Sequence, residues 1–280
     1  MKTFIVGDIH GRRAQLNMLL AMTERDETRD TLVFLGDFID RGPDVPGVVS
    51  DVLALQEASP ERVICLRGNH EQMLLDFLEG ESSLWLSHVT GGEMSFEQYT
   101  GGYLRLITEE DFEKARDRIR EALPVEHLEF FRHLPLFYED EYAFYVHAGL
   151  SGDKHPSETD PHVLLWSRDA EFFKNYNGKP CVFGHTPTQF LPLLGRLGRH
   201  GIYLSHSAIG LDTGYNYQSP LSCLSLPDFT LYQSFADGHT ARHHITSFIP
   251  ERLRAMQKKG EAAEASPDLD SRAESRHAGS

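Results

Sequence analysis

Three short stretches near the start of the chain carry residue types that bind metals and handle phosphate. "GDIHG" supplies Asp8 and His10, "GDFIDRG" supplies Asp37, Asp40 and Arg41, and "RGNHE" supplies Asn69, His70 and Glu71. Two later stretches, "HAG" with His147 and "GHT" with His185, repeat the theme. Each contains a glycine, which lets backbone approach a bound group closely. Carboxylate, imidazole and amide oxygen without thiolate suit manganese, iron or zinc better than a soft metal, and Asp37 has two oxygens with which to bridge two cations. Two metals about 3.5 to 4 Å apart are a device for in-line attack on phosphorus by an activated water. One aspartate after a strand reads as a turn residue or a helix cap. The set does not, because a core has no use for clustered ionisable groups unless they are paired or bound to metal.

The segments that must position these residues share a form. "TFIVGD", "TLVFLGD", "RVICLRG", "YAFYVHAG" and "CVFGHT" read as buried strands, and the first three are followed by the helical patterns "RRAQLNMLLAM", "VPGVVSDVLAL" and "EQMLLDFL". In the second helix Val45, Val48, Val49, Val52 and Leu53 fall on one face at helical spacing. Alternating strand and helix predicts an α/β domain with parallel strands. In such sheets, sites form where loops leave the carboxyl ends of strands, so the five ends are expected to converge on one edge.

From about residue 80 to 134 the pattern predicts a helical insert, with the glycine pairs Gly91-Gly92 and Gly101-Gly102 and the charged run "TEEDFEKARDRIREAL". Short runs such as "GIYLSH", "LSCLSL" and "TLYQSF" then predict a more antiparallel C-terminal half. Few large apolar residues follow Glu251, so residues 1–250 are expected to be the catalytic domain and 251–280 a frayed helix and flexible tail.

Composition narrows the function. The chain has 280 residues, 40% of them hydrophobic, and a net charge of −15, which argues against nonspecific nucleic acid or anionic lipid as a partner. No apolar run approaches the ~20 residues of a membrane span, and "MKTFIVGDIHG" lacks the form of a signal peptide. Cys65, Cys181 and Cys223 sit in separate strand-like runs, and an odd count without a Cys-x-x-Cys pair predicts buried free thiols in a reducing compartment. A cytoplasmic location is expected.

In this order, "GDIHG", "GDFIDRG", "GNHE", "HAG" and "GHT" resemble the calcineurin-like metallophosphoesterases, specifically the phosphoprotein phosphatase branch that includes small bacterial Ser/Thr phosphatases. The resemblance runs from about Phe4 to Leu226. It implies two mixed β-sheets packed as a sandwich, flanked by helices, with two divalent metals at one end. Asp8, His10 and Asp37 would hold the first metal, and Asp37, Asn69, His147 and His185 the second. His70 would protonate the leaving oxygen with Asp40 orienting its imidazole, and Arg41 and Arg168, the latter following Trp166 in "LLWSRD", would bind phosphate along with Asn69. These types suit the roles: arginine offers phosphate a planar, permanently charged fork, and a histidine supported by a carboxylate can act as an acid. Manganese is the expected metal, with iron or zinc as alternatives.

The implied activity is hydrolysis of phosphoserine and phosphothreonine in proteins by direct attack of an activated water. Symmetrical dinucleoside tetraphosphate hydrolysis, or another small phosphoester substrate, is the second reading; a binding protein without turnover is the third. "DFIDRG" with "GNHE" leans toward the protein phosphatases, because tetraphosphatase relatives typically lack that Asp-Arg pair. After "DTG" at Asp212 to Gly214, "YNYQSPL" departs from the bacterial pattern and makes Tyr215 and Tyr217 candidates to line the site differently. Glu71 is expected to serve the first turn of its helix, and Arg12 and Arg13 to be an exposed helix start. His88, His127, His133, His200, His206, His243 and His244 read as surface or packing residues. Trp85, Phe96, Tyr99 and Tyr103 are read either as a substrate-facing wall or as the core of the insert.

Overall fold

Side chains alternate across a strand, and here both faces of the central strands are buried, which is why they read as unbroken apolar runs. In β1 (Thr3–Val6), Phe4 and Val6 point to a core shared with helices, while Ile5 points to a second core between two sheets. β2 (Thr31–Phe34) divides its residues in the same way, Leu32 and Phe34 against Val33. β5 (Phe144–Val146) and β6 (Cys181–Phe183) send Tyr145 and Val182 to the inter-sheet core, and Phe144, Val146 and Phe183 to a third. The result is two sheets packed face to face with helices outside each.

The computed structural model describes residues 1–103, 108–192, 201–214, 218–245 and 249–264. The first sheet is ordered β11-β10-β9-β1-β2-β3, with β3 at Val63–Cys65, β9 at Leu221–Leu226, β10 at Thr230–Ser234 and β11 at Thr240–His244. β1, β2 and β3 are parallel, and the other pairings are antiparallel. The second sheet is ordered β4-β5-β6-β8-β7, with β4 at Phe137–Glu139, β7 at Tyr203–Ser205 and β8 at Ala208–Gly210. In it β5, β6 and β8 run parallel. The expected sandwich of two mixed sheets is therefore present. The more antiparallel C-terminal half is present as well: β9, β10 and β11 pair antiparallel in the first sheet, and β7 pairs antiparallel with β8 at the edge of the second, as β4 does with β5 at the other edge.

Helices α1 (Arg13–Met22), α2 (Val45–Ala58) and α3 (Asn69–Glu79) follow the first three strands. Val45, Val48, Val49 and Val52 are buried against the first core and Leu53 packs partly buried beside them, as the spacing predicts. Residues 80–134 contain a short 3₁₀ turn (Leu84–Leu86) and helices α4 (Gly92–Thr100), α5 (Glu109–Ala122) and α6 (Val125–His133). α7 (Pro161–Trp166) and α8 (Ala170–Asn175) cover the second sheet.

The helix expected after Glu251 is present and is anchored. Residues 251–264 form helix α9 (Glu251–Glu264), whose Leu253 and Met256, one turn apart, are buried in the inter-sheet core. The two apolar side chains on one helix face anchor a segment whose composition is otherwise that of a solvated tail; residues 265–280 lie outside the described residues, as do Tyr215 and Tyr217. No helix of the described residues is long and apolar enough to cross a membrane.

Cys65, Cys181 and Cys223 are free and buried, on β3, β6 and β9, and burial pushes each thiol's pKa up. An excess of an aromatic disulfide reagent should therefore label none of the three in the native protein within minutes and all three in denaturant, read by absorbance of the released thiolate.

Candidate metal centre

The carboxyl ends of β1, β2, β3, β5 and β6 meet at one edge, and β8 adds a sixth with Asp212. The turns that leave them are strained: seven non-glycine residues among those described have positive φ, and five are His10, Asp37, Asp40, Arg41 and His185. Left-handed backbone at such residues costs about 1 to 3 kcal/mol each and persists only where surrounding bonds over-determine it. Those bonds are present. The amides of Ile9 and His10 donate to Asp37 O, and that of Gly11 donates to Phe38 O, so the first two turns clasp each other.

Glu71 clasps the third. Its fully buried carboxylate accepts from the amides of Gly68, Asp37, Phe38 and Ile39 at 2.8 to 3.3 Å. The expected role in the helix's first turn is only part of what it does, because the Asp37 loop folds back over the start of α3 and offers three further donors. Gly68 permits this approach: a Cβ there would sit 2.1 Å from Asp37 Oδ1. Arg12 is likewise buried rather than exposed. It donates to the carbonyls of Asp8, Ile9 and Ser219, tying the Asp8 turn to the loop before β9, whereas Arg13 pairs with Asp44 and Asp51 at the surface.

Within this frame Asp37 faces both ways. Its Oδ2 lies 3.5 Å from His10 Nε2, and its Oδ1 lies 3.5 Å from His147 Nε2. His10 and His147 donate Nδ1–H to the carbonyls of Ile39 and Leu35, both at 2.8 Å, which turns each Nε2 lone pair toward Asp37. Asn69 Oδ1 is 2.9 Å from His147 Nε2 and 2.8 Å from His185 Nδ1. Burial, with Arg41, pushes the His10 pKa down; burial also lowers those of His147 and His185, so all three rings favour the neutral form that binds a cation. Asp37 is held far below the usual carboxylate range because the four surrounding imidazoles outweigh its burial.

Two groups have the geometry to hold a cation, His10 with Asp37 and His70, and Asp37 with His147 and His185. Asp8 borders them. Its Oδ2 accepts from the His185 amide at 2.9 Å, but Oδ1 is buried without a partner, and burial beside Asp212 and Asp37 raises its pKa well above normal. Gly184 opens the space in front of it, since a Cβ there would lie 2.0 Å from Asp8 Oδ1. An orphaned carboxylate oxygen in a polar cradle fits a cation that completes its coordination.

His70 behaves differently from the other rings. Its Nδ1 bonds Asp40 Oδ2 at 2.6 Å and its Nε2 faces the cleft, 3.0 Å from Arg41 Nη2. Burial works against protonation, but Asp37 and Asp40 outweigh it and the pKa is raised. Asp40 is in turn fixed by Ser95, which sequence reasoning did not single out, and by Trp85, read there only as wall or core. Trp85 Nε1 and Ser95 Oγ donate to its Oδ1 at 3.0 and 2.6 Å, both from the insert. Arg168 lines the cleft and donates Nε–H to His185 Nε2 at 3.3 Å.

Of the insert aromatics, Trp85 and Phe96 are fully buried, Tyr99 bonds His127, and Tyr103 is exposed; none lines the cleft. His127, between Ser50 and Tyr99, is a packing residue, and His88, His133, His206 and His244 are exposed.

Two carboxylate-imidazole groups thus share Asp37 at the ends of strands in two mixed sheets. Residues 1–207 match the family of calcineurin-like phosphoesterases. The chain belongs to that family. The calcineurin-like phosphoesterases use a dimetal centre, and the candidate ligand groups for one are in place here. Among curated relatives, serine/threonine-protein phosphatase 1 of Salmonella typhimurium is 33% identical over 195 residues, 66% of this chain and 78% of that protein. A symmetrical bis(5'-nucleosyl)-tetraphosphatase of Pectobacterium atrosepticum is 27% identical over 209 residues, 71% of this chain and 61% of its own length. A crystal structure provisionally described as a diadenosine tetraphosphatase superposes with a TM-score of 0.57 at 21% identity, covering 86% of this chain and 92% of that one. It shows the shared fold.

Glu71→Gln removes a charged acceptor from four amides and turns an amide NH₂ toward at least one of them. The expected cost is about 2 to 4 kcal/mol in urea unfolding at pH 8, with weakened manganese binding by calorimetry. A variant as stable as wild type would show that the clasp is dispensable.

Proposed function

We propose that this chain hydrolyses phosphoserine and phosphothreonine in proteins. The ligands would be Asp8, His10 and Asp37 for one divalent cation and Asp37, Asn69, His147 and His185 for the other. Manganese is the proposed pair, with iron or zinc as alternatives suited to the same donors. Bound there, the cations would supply a nucleophilic oxygen at neutral pH and positive charge against the phosphate. The remaining work falls to the protein. Arg41 and Arg168, which line a cleft of about 380 Å³, grip the phosphate oxygens as planar forks, and Asn69 in the same cleft helps to seat the group.

The observation that carries the reading is the Asp40–His70 pair. Serine and threonine leave as alkoxides, which are strongly basic, so an ester needs a proton delivered to its leaving oxygen. A nucleoside diphosphate leaving from an anhydride is already a stable anion and needs none. An imidazole whose Nδ1–H is fixed by a buried carboxylate, with Nε2 toward the cleft and its pKa raised, meets the requirement of the ester. The tetraphosphatase reading is supported by relatives of that name at 27% and 29% identity. A binding protein without turnover would have no use for the acid pair.

Initial rates of manganese-reloaded protein on a phosphothreonine peptide and on diadenosine tetraphosphate separate the two activities. The peptide should be preferred, and preference for the dinucleotide would transfer the reading to nucleotide hydrolysis. Asp37→Asn should lose bound metal and activity together, by elemental analysis and rate. His70→Asn should keep its metal yet lose about 10²- to 10⁴-fold in kcat on the peptide, and far less on the anhydride; equal losses on both would remove His70 as the acid.

A further inference from the structure

The turn that carries Trp85 inward to Asp40 presents its other side to the cleft. Leu84 and Val89 line the cleft while remaining 45% and 83% exposed. Large apolar side chains left in water beside a reacting centre point to a contact made when substrate arrives. The turn is not a loose flap. Thr90 Oγ1 donates to Trp85 O at 2.7 Å, the Ser87 amide donates to Leu84 O at 3.0 Å, and the Thr90 amide donates to Ser87 O at 3.1 Å. It is fastened to the catalytic loop as well: Arg41 donates from its amide to Gly91 O and from Nε to Thr90 O.

The direction of the reaction places the leaving group on this side. His70 and Met73 are one turn apart on α3, and Met73 joins Leu84 and Val89 in the cleft wall, so a group departing toward His70 passes along an aliphatic surface. The charges agree. Among the described residues, Arg41 and Arg168 are the cationic side chains lining the cleft besides histidine, and both serve the reacting phosphate. A leaving group bearing further phosphates would meet methionine, leucine and valine instead of a guanidinium, on a chain of net charge −15.

We propose that Leu84 and Val89 determine specificity, selecting phosphopeptides in which an aliphatic residue lies next to the phosphorylated serine or threonine. The inference rests on the phosphoprotein reading above and names the feature of the substrate that the cleft recognises. A flanking leucine or valine covers the two exposed side chains and is itself removed from water, a gain made on binding and therefore seen in KM.

The test uses two phosphothreonine peptides of equal charge, one with leucine and valine flanking the phosphothreonine and one with serine at both places. Kinetics of the manganese-loaded enzyme, Leu84→Ser, Val89→Ser and the double variant are compared through the ratio of kcat/KM for the two peptides within each protein. A general loss of activity does not move that ratio. Wild type should favour the aliphatic peptide about tenfold, mainly through KM, each single variant should reduce the preference, and the double variant should bring it within about twofold of unity. Equal use of the peptides by wild type, or an unchanged ratio in the double variant, would overturn this inference and leave the phosphatase reading standing. Turnover of diadenosine tetraphosphate with neither peptide cleaved would overturn both.

Discussion

Five carboxylates, those of Asp8, Asp37, Asp40, Glu71 and Asp212, are each no more than 3% exposed at one end of two packed sheets. Burying that much negative charge is permitted only where each group is paired, and the local architecture follows from how the pairing is done. Glu71 is satisfied by four amides that also shape the Asp37 loop. Asp40 is satisfied by indole, hydroxyl and imidazole donors. Asp212 accepts from the Gly214 amide beside the Arg12 guanidinium. Asp37 is surrounded by imidazoles and also accepts from the His70 amide. Of the five, Asp8 alone keeps an oxygen without a partner, and such an oxygen suits a cation.

Histidines divide by the same logic. A ring whose Nδ1–H goes to a backbone carbonyl keeps a lone pair for a cation and resists protonation when buried, as His10 and His147 do. A ring whose Nδ1–H goes to a buried carboxylate is drawn toward the protonated state, as His70 is. The partner of one nitrogen thus sets what the other nitrogen can do. The partner of His70 is itself held by Trp85 and Ser95, so the insert supports this imidazole from behind while its outer side chains face the cleft. One segment thereby couples the positioning of His70 to the lining of the cleft.

Much of this was legible from the chain alone, for a definite reason. Burial on both faces makes strands into unbroken apolar runs, and the polar groups stand in the loops at their carboxyl ends, so Asp8, Asp37, Asn69, His147 and His185 are marked by position as well as type. The valines of α2 fall on one helical face for the same reason of periodicity. Contacts made across the fold left no such mark. Trp85 and Ser95 lie 45 and 55 residues from Asp40 in sequence, and nothing in "SLWLS" distinguishes an indole that bonds a carboxylate from one that only fills space. Arg12 reads as a surface helix start until the chain returns Ser219 to cover it. Leu253 and Met256 look like isolated apolar residues in a charged tail until the open end of the inter-sheet core receives them.

The sequence by itself determined which residue types suited to metal and phosphate are present, and that strands deliver them to a common edge, because both are written in residue type and local period. Tertiary structure alone decided the rest: which histidine is drawn toward protonation, which carboxylate oxygen is left without a partner, and which apolar side chains stay in water beside the cleft. Those outcomes depend on partners brought from distant segments, and pairing, burial and exposure are properties of neighbours in space.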